Sequence, residues 1–479
     1  MTLTATPESA KKQRVASYTV WYAGTFLGTF TFGAANLILP SVSAEFNASG
    51  AEQSFILSSY STLLAAILIF AGRLGDRFGR RRLFGLGLLL FAAASVAAAF
   101  SDSTAFLISS RASQGIGVGL LMPQILSTIQ ATSSGALRTR ALAVFGAVSG
   151  LGTVVGQMVS GGLLSLNLFG QSWRPVMWLS ALMALLIFAL LRSAQATSST
   201  APLAMDGFGS ALLGLALASF VVSMTLFSTG SVLWLAIALL LISAVLGFCF
   251  ARWELRVEGQ GKIPLAPPAL FKVPALRMGL AMNLLFYTGY GAFMFEFSSL
   301  TQRGMRYSGL SSGLAIVLFA LAFVFTSFYL HRVTARLGKH TMLVGASAQI
   351  VALIALGVEL MVEGLGVQQW HLQVALVLLG ASQALMFGPL VQTVMSQIPS
   401  WAAGLSGGLF STAQQLSFSL GVAVLGGVYF TLSQLEAVGF SGGFAVCMAI
   451  QALAAAVFGT LAWRLHRPAK SPSDSVITS

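Results

Sequence analysis

Two charged residues lie inside apolar stretches of this sequence, where a charge is costly and is kept when it faces the protein interior or a water-filled path. Arg111 stands three residues before Gln114, and Glu296 lies between two phenylalanines, which would desolvate its carboxyl. A carboxyl at that depth can exchange a proton, and aromatic walls suit lipophilic cations. We predict that Glu296 serves proton coupling or substrate binding, with Glu359 as a second carboxyl candidate, and that Arg111, with Gln114 near it, is also a functional residue.

Each of these two residues also has a simpler interpretation. Arg111 lies about two helical turns from a predicted membrane surface, so its side chain could extend to the headgroups. Glu296 lies near the outer end of its stretch, where it could be hydrated or paired with Arg303 or Arg306. Both alternatives stay open at the level of sequence.

The composition is that of a membrane protein. The chain has 479 residues, of which 56% are hydrophobic and 8% charged, and its mean hydropathy is +0.85. The net charge of +13 falls in short loops between apolar stretches, so we expect no nucleic-acid partner. The four histidines and two cysteines lack metal-ligand spacing, and no nucleophile and base cluster together. We therefore predict neither an enzyme nor a metal site.

Fourteen apolar stretches have the length that a membrane-spanning helix needs. They are 18–40, 53–72, 83–100, 105–128, 141–164, 175–191, 208–228, 232–251, 278–300, 311–331, 341–361, 371–394, 404–430 and 442–463. With this threading, all 26 lysine and arginine residues except Arg111, Arg174, Arg303 and Arg306 lie on one side. That asymmetry predicts that both termini are cytoplasmic and that the protein spans the inner (plasma) membrane many times.

The predicted organisation has six segments. They are a cytoplasmic N-terminal tail (1–17), a six-helix bundle (18–192), two extra helices (203–252), a proline-rich cytoplasmic linker (253–277), a second six-helix bundle (278–465) and a disordered cytoplasmic tail (466–479). A weak repeat supports two halves, because the basic run 330–340 occupies the same loop of the second bundle as the run 72–82 does in the first.

The run 72–82 carries the most specific motif of the chain. It reads Gly-Arg-Leu-Gly-Asp-Arg-Phe-Gly-Arg-Arg-Arg and resembles the loop signature between helices 2 and 3 of the major facilitator superfamily. The resemblance implies an all-α fold of two six-helix bundles that rock about a central cavity, here with two added helices. It also implies a conformational gate in which Asp76 bonds a helix end or an arginine, formed by Gly72, Asp76, Arg77, Gly79 and Arg80.

The run 111–123 resembles the helix-4 motif of the same superfamily, which implies that Arg111 and Gln114 serve proton coupling or substrate binding. Further runs resemble the fourteen-helix drug:proton antiporter branch of that family. Helix 5 carries glycines that resemble the antiporter motif, although plain helix packing would also use them: Gly152, Gly156, Gly161 and Gly162. The run 404–416 resembles the start of helix 13, with Gln414 where an arginine is common. The aspartate usual in helix 1 is replaced by Thr31, which puts the usual coupling route in doubt.

The resemblance implies a transporter that acts as a monomer, uses a proton gradient and needs no cofactor. The expected function is export of hydrophobic or cationic small molecules. The alternatives are an uptake symporter or facilitator, or an exporter of one anionic or lipid-like metabolite. Polar residues at plausible cavity depth, each of which could instead join two helices, are Asn36, Tyr60, Gln124, Asn283, Tyr287 and Gln383.

Overall fold

The structure is a computed structural model, and it describes residues 7–133, 135–194, 206–229, 232–262, 264–396 and 403–465. Within these ranges every regular element is helical. The helices are α1 (Pro7–Phe46), α2 (Gly50–Phe78), α3 (Arg80–Ala99), α4 (Thr104–Thr132), α5 (Gly135–Leu166), α6 (Arg174–Ala189), α7 (Gly207–Thr229), α8 (Leu233–Gly259), α9 (Pro268–Phe271), α10 (Pro274–Ser299), α11 (Gly309–Ala315), α12 (Val317–Leu337), α13 (Thr341–Glu363), α14 (Gln369–Ser396), α15 (Ala403–Leu420), α16 (Gly426–Ser433) and α17 (Gly439–Leu465).

Ten helical segments of the described part are long and apolar enough to cross a membrane, or eleven when the bent pair within α2 is taken as one span. One of the ten, Gly309–Gly366, has 58 residues and contains α11, α12 and α13. Each of the fourteen predicted stretches overlaps a helix, but not every helix meets the criterion for a span. The count of fourteen therefore stays a prediction.

The helices depart from the predicted stretches at three places. The stretch 311–331 is divided at Ile316 into α11 and α12. The stretch 404–430 is interrupted by the π-helical segment Gly421–Leu425, which joins α15 to α16. Helix α8 continues to Gly259, well into the predicted linker, because its last turns are amphipathic rather than apolar. The predicted tail 466–479 and the centre of the turn 228–231 lie outside the described residues.

The helices form an N-terminal half (α1–α6) and a C-terminal half (α10–α17). In the first, α1 packs on α5, α2 on α4, and α3 on α4 and α6; in the second, α13 packs on α14 and α17, and α10 on α15. The halves meet where α2 contacts α15 and where α5 contacts α11 and α12. Helix α7 packs on α8 and α2, so the added pair lies against the N-terminal half.

Local sequence explains where several of these helices begin. Ser49 and Glu52 form a reciprocal capping box at the start of α2, and the Ser103 hydroxyl caps α4. Pro274 occupies the first turn of α10, where no amide hydrogen bond is lost. Gly79 alone separates α2 from α3, with a φ of 98° that a residue with a side chain rarely adopts. We call the face that carries run 72–82 the arginine face.

Candidate functional site

Arg111 lies inside the N-terminal half and does not reach a surface. Its side chain is 1% exposed, so the alternative of extension to the headgroups is wrong. The guanidinium donates to Gln114 Oε1 at 2.7 Å and to the carbonyl oxygen of Ile56 at 3.4 Å, and it stands 4.7 Å from the ring centre of Tyr60. Among the described residues no carboxylate pairs with it. The structure thus brings Arg111 and Gln114 together around a buried, unpaired positive charge.

Glu296 lies inside the C-terminal half, and its side chain is fully buried. Gln451 of α17 donates to its Oε2 at 2.8 Å, while Oε1 has no hydrogen-bond partner among the described atoms. Arg303 instead donates to Gln53 Oε1 of the other half at 2.6 Å. Arg303 therefore does not pair with Glu296. No ion pair between Glu296 and Arg306 is found in the described ranges either.

The second carboxyl candidate, Glu359, lies near the end of α13, one turn before Glu363. Glu363 binds His371 at 2.9 Å on a partly exposed surface. The structure therefore places Glu359 beside a surface pair. No contact in the described part of the chain brings its carboxyl into one site with that of Glu296.

The arginine-rich run ties α2 and α3 to α4. Asp76 accepts from Arg80 Nε and Nη2, at 3.0 and 2.7 Å, and Arg80 Nη1 donates to the carbonyl oxygen of Ser127 at 3.0 Å. Asp76 therefore pairs with an arginine of its own half, and in this structure it does not join the two halves. Arg77 lies over the neighbouring ring of Phe78, and Gly72 approaches Pro123 of α4.

A second contact at the arginine face involves Arg73, which is buried. Its Nη2 donates to the carbonyl oxygen of Pro264 at 2.7 Å, so the segment after α8 binds to α2. Glu254 Oε2 holds the next residues by accepting from the amide of Ala266 at 2.6 Å. This contact was not predicted from the sequence. Arg73 belongs to the run 72–82, but it was not among the residues predicted to form the gate.

The glycines of α5 serve two neighbours. Gly152 and Gly156 pack against α1, where a Cβ would overlap the Thr29 hydroxyl at Gly152 and the Phe30 carbonyl group at Gly156. Gly161 touches the carbonyl group of Gly309 in α11, across the junction of the halves. Gly162 has nothing within 4 Å of a Cβ position. Three of the four predicted glycines are thus close contacts between helices.

Two adjoining pockets lie between the halves, and we call them together the central cavity. Both open in part to solvent, and the enclosed space in each is small in this conformation, about 30 Å³. They share Ser149, Thr153 and Phe418. The first is lined by the later parts of α2 and α4 and the earlier part of α5, so it lies toward the arginine face. Its further lining includes Phe32, Phe145, Gln414 and Gln415; that of the second includes Phe286, Tyr290, Phe323 and Phe387.

Three of the six predicted cavity residues line this space, namely Tyr60, Tyr287 and Gln383. The other three join helices or bond within one. Gln124 donates to the carbonyl oxygen of Ala71 and Asn283 to that of Phe410, both at 2.8 Å, and Asn36 bonds within α1. Glu296 does not line either of these two pockets.

The sequence missed several lining residues that it could have indicated. Gln414 and Gln415 are adjacent amides in a segment without charged residues, and both line the first pocket. At the position of the expected helix-1 aspartate, the Thr31 hydroxyl donates to the carbonyl oxygen of Leu27 at 2.8 Å. That hydroxyl is therefore used within its own helix.

A family model described as the Major Facilitator Superfamily matches residues 21–205 and 203–422, which together cover most of the chain. The chain belongs to the Major Facilitator Superfamily. It is thus a multi-pass membrane protein and a transporter. The match extends across both halves, in agreement with the resemblance that the run 72–82 carries.

Several curated relatives carry names that describe transport, export or drug resistance. The chain is 30% identical to the probable actinorhodin transporter of Streptomyces coelicolor over 83% of this chain and 69% of that protein. It is 31% identical to the puromycin resistance protein pur8 of Streptomyces alboniger, covering 81% and 76%. It is 29% identical to the tetracenomycin C resistance and export protein of Streptomyces glaucescens, covering 81% and 70%.

Solved structures share the fold at low identity. The chain matches the D-xylose-proton symporter with a TM-score of 0.66 at 16% identity, over 94% of this chain and 97% of that one. It matches the human organic anion transporter MFSD10 with a TM-score of 0.63 at 18% identity, over 94% and 99%. These likenesses concern the fold alone.

Proposed function

We propose that this transporter exports hydrophobic small molecules in exchange for protons, by alternating access of the central cavity. Two of the relatives named above support the direction, since their names describe resistance, and in one case export as well. The proposal includes fourteen spans in two six-helix bundles with two added helices, an inner-membrane location, cytoplasmic termini and a monomeric state.

The observation that carries proton coupling is the environment of Glu296. An ionised carboxylate buried beside a neutral glutamine lacks the partner that would offset its desolvation. A proton bound there when the site is dry and released when the C-terminal half admits water would link protonation to the conformational cycle. Export of a cation at this carboxylate is not part of the proposal, because Glu296 does not line the cavity.

Arg111 has a supporting role in this mechanism. Its charge is fixed, and it lies against Tyr60, a residue of the cavity wall. Arg111 joins α4 to Ile56 and Tyr60 of α2, so its charge would move with this part of the cavity wall as the halves rock. The Asp76–Arg80–Ser127 network keeps α2, α3 and α4 together during that movement.

The test is transport in proteoliposomes with an imposed pH gradient, using acridone as an uncharged fluorescent probe. We expect gradient-driven movement by the native protein and at least about a hundredfold loss for Glu296→Gln, with normal membrane insertion. Glu363→Gln, at the surface pair with His371, is the matched control and should transport normally. Unchanged transport by Glu296→Gln would remove this residue from the mechanism. Movement of acridone in the same direction as the protons, rather than against them, would favour the uptake alternative.

A further inference from the structure

The walls of the central cavity contain no charge. Within the described part of the chain, the residues that line the two pockets are glycine, serine, threonine, glutamine, leucine, methionine, phenylalanine and tyrosine. Glu296 is fully buried, accepts a hydrogen bond from Gln451 of α17 and lines neither pocket. A charged solute that entered would lose its hydration and meet no opposite charge in the lining.

The charge nearest to the wall is positive. The Arg111 guanidinium lies 4.7 Å from the ring centre of Tyr60, and Tyr60 lines the first pocket. Ring faces can attract cations, but this face is already occupied by a cation that has no described carboxylate partner. The wall therefore disfavours a positive solute more than a negative one.

The aromatic walls provide flat surfaces. In the second pocket, Phe286 is stacked with Tyr290 at an interplanar angle of 3° and with Phe387 at 22°. Phe418, which lines both pockets, lies 4.9 Å from Tyr287 and 4.9 Å from Phe32 between ring centres. Aromatic rings prefer offset-stacked and edge-to-face neighbours, so these surfaces match a planar ring system.

A few neutral polar groups face the same space. Gln383 is 2% exposed and lines the second pocket, and its Oε1 has no hydrogen-bond partner among the described atoms. Gln414 and Gln415 line the first pocket, and Ser149 and Thr153 line both. A buried acceptor without a partner favours a ligand that brings a hydrogen-bond donor.

We propose that the central cavity selects uncharged, planar aromatic compounds that carry hydrogen-bonding groups, accepts their anions less well and discriminates against cations. This selectivity rests on the proposed function only in taking the cavity as the binding site of the exported compound. The structure excludes a carboxylate from the described lining, stacks rings along it and sets a positive charge behind Tyr60.

The decisive measurement is equilibrium binding to the purified full-length protein by fluorescence titration with three tricyclic probes. Acridone is uncharged, acridine-9-carboxylate is an anion, and N-methylacridinium is a cation. We expect acridone to bind at least about tenfold more tightly than N-methylacridinium, with the carboxylate between them. Equal or tighter binding of the cation, or no measurable binding of acridone, would overturn the proposal.

A charged residue introduced into the cavity wall should change the order of the three affinities, and the direction of the change should depend on the sign of the charge. Gln414→Glu should raise the affinity for N-methylacridinium about tenfold and lower that for acridine-9-carboxylate, and Gln414→Arg should do the reverse. Gln415→Glu is the second variant if the first does not fold. Gln373→Glu changes a half-buried amide of α14 that does not line the cavity, and it should leave the order unchanged. If Gln414→Glu and Gln373→Glu shift the three affinities equally, the cavity is not the binding site.

Gradient-driven transport of the same probes separates this proposal from the proposed function. The expected binding order without gradient-driven acridone movement would defeat proton-coupled export and leave the selectivity standing. Gradient-driven transport of all three probes at similar rates, with equal affinities, would defeat the selectivity and leave export standing.

Discussion

The two halves each bury one charged group beside a glutamine, but the groups differ in what they can do with the charge. In the N-terminal half, Arg111 donates to Gln114, and a guanidinium stays charged at any physiological pH. In the C-terminal half, Glu296 accepts from Gln451 and can become neutral by binding a proton. Arg111 lies against a cavity wall and Glu296 does not. The fixed charge of Arg111 thus lies near the cavity, while the charge of Glu296, which a proton can neutralise, lies away from it.

This difference indicates that the two halves use their buried charged groups for different purposes. In the part of the chain that the structure describes, neither group forms an ion pair, so neither is explained as a stabilising pair of charges. Buried polar networks of this kind are sensitive to the loss of any one partner. The halves must therefore be tested separately and then at their junction.

The largest expected effect comes from preventing the halves from meeting. A Cβ at Gly161 would overlap the backbone of Gly309, and backbone atoms cannot move aside as a flexible side chain can. We expect Gly161→Val to lower gradient-driven acridone transport by about a hundredfold. The adjacent Gly162→Val is the matched control, because nothing lies within 4 Å of its Cβ position. Equal transport by both variants would show that this junction is not needed.

The next largest effect concerns the fixed charge. Replacing a buried, unpaired ion by an apolar group of similar size is often neutral or stabilising, so we expect Arg111→Met to keep or raise the thermal stability while transport falls about tenfold. Arg174→Met removes an arginine that pairs with Glu45 at 2.6 Å in a partly exposed position, and should change stability by less than about 1 kcal/mol. A large loss of stability in Arg111→Met would indicate a structural role instead.

A smaller effect compares the two glutamines. Gln114→Leu leaves a guanidinium that cannot shed its charge and should cost about 1.5–3 kcal/mol of unfolding free energy. Gln451→Leu leaves a carboxyl that can take up a proton, so its cost should be below about 1 kcal/mol near neutral pH. Denaturant unfolding of both variants in the same detergent measures the two costs. If Gln451→Leu is the more damaging change, the distinction between fixed and changeable charge is wrong.

The smallest effect is expected at Glu52, a carboxylate whose charge is stabilised by hydrogen bonds. Hydrogen bonds from Thr104 and then from Ser49 hold the pKa of Glu52 below its ordinary value of 4.5. Its contribution to stability is therefore present above that value and is lost as the pH falls through the lower folded pKa. We expect Glu52→Gln to be slightly less stable than the native protein at pH 7 and to match it in strong acid. Its transport should be unchanged, and a loss would weaken the special place given to Glu296.

Much of the fold could be predicted from apolar stretches and loop charges, because both follow from local composition. Every predicted stretch overlaps a helix, and Gly79 stands where the sequence placed a turn. The interruptions at Ile316 and at Gly421–Leu425 could not be predicted, since the residues there are as apolar as their surroundings. Breaks of this kind depend on the packing between α5 and α11 and around α10.

The site was predicted less well than the fold, for a geometric reason. Tyr290 and Glu296 are six residues apart and therefore about 120° apart around α10. The sequence indicates that angle but does not tell which side faces the cavity. The same limit applies to Asn283, Gln124 and Asn36, which have the polarity of lining residues but bond to backbone carbonyl groups.

The contact of Arg73 with Pro264 sets the length of the tether between the halves. Ala266 is held by Glu254, while Leu270 of α9 is buried in the core of the C-terminal half. Pro267 alone separates these two anchored segments, and an extended chain gains at most about 3.6 Å per residue. The arginine face can therefore widen by only a few ångströms before the strap is taut. A wider opening must first release Pro264 from Arg73 together with Ala266 from Glu254, or lift α9 from the core of the C-terminal half, so this short segment limits the amplitude of the rocking motion.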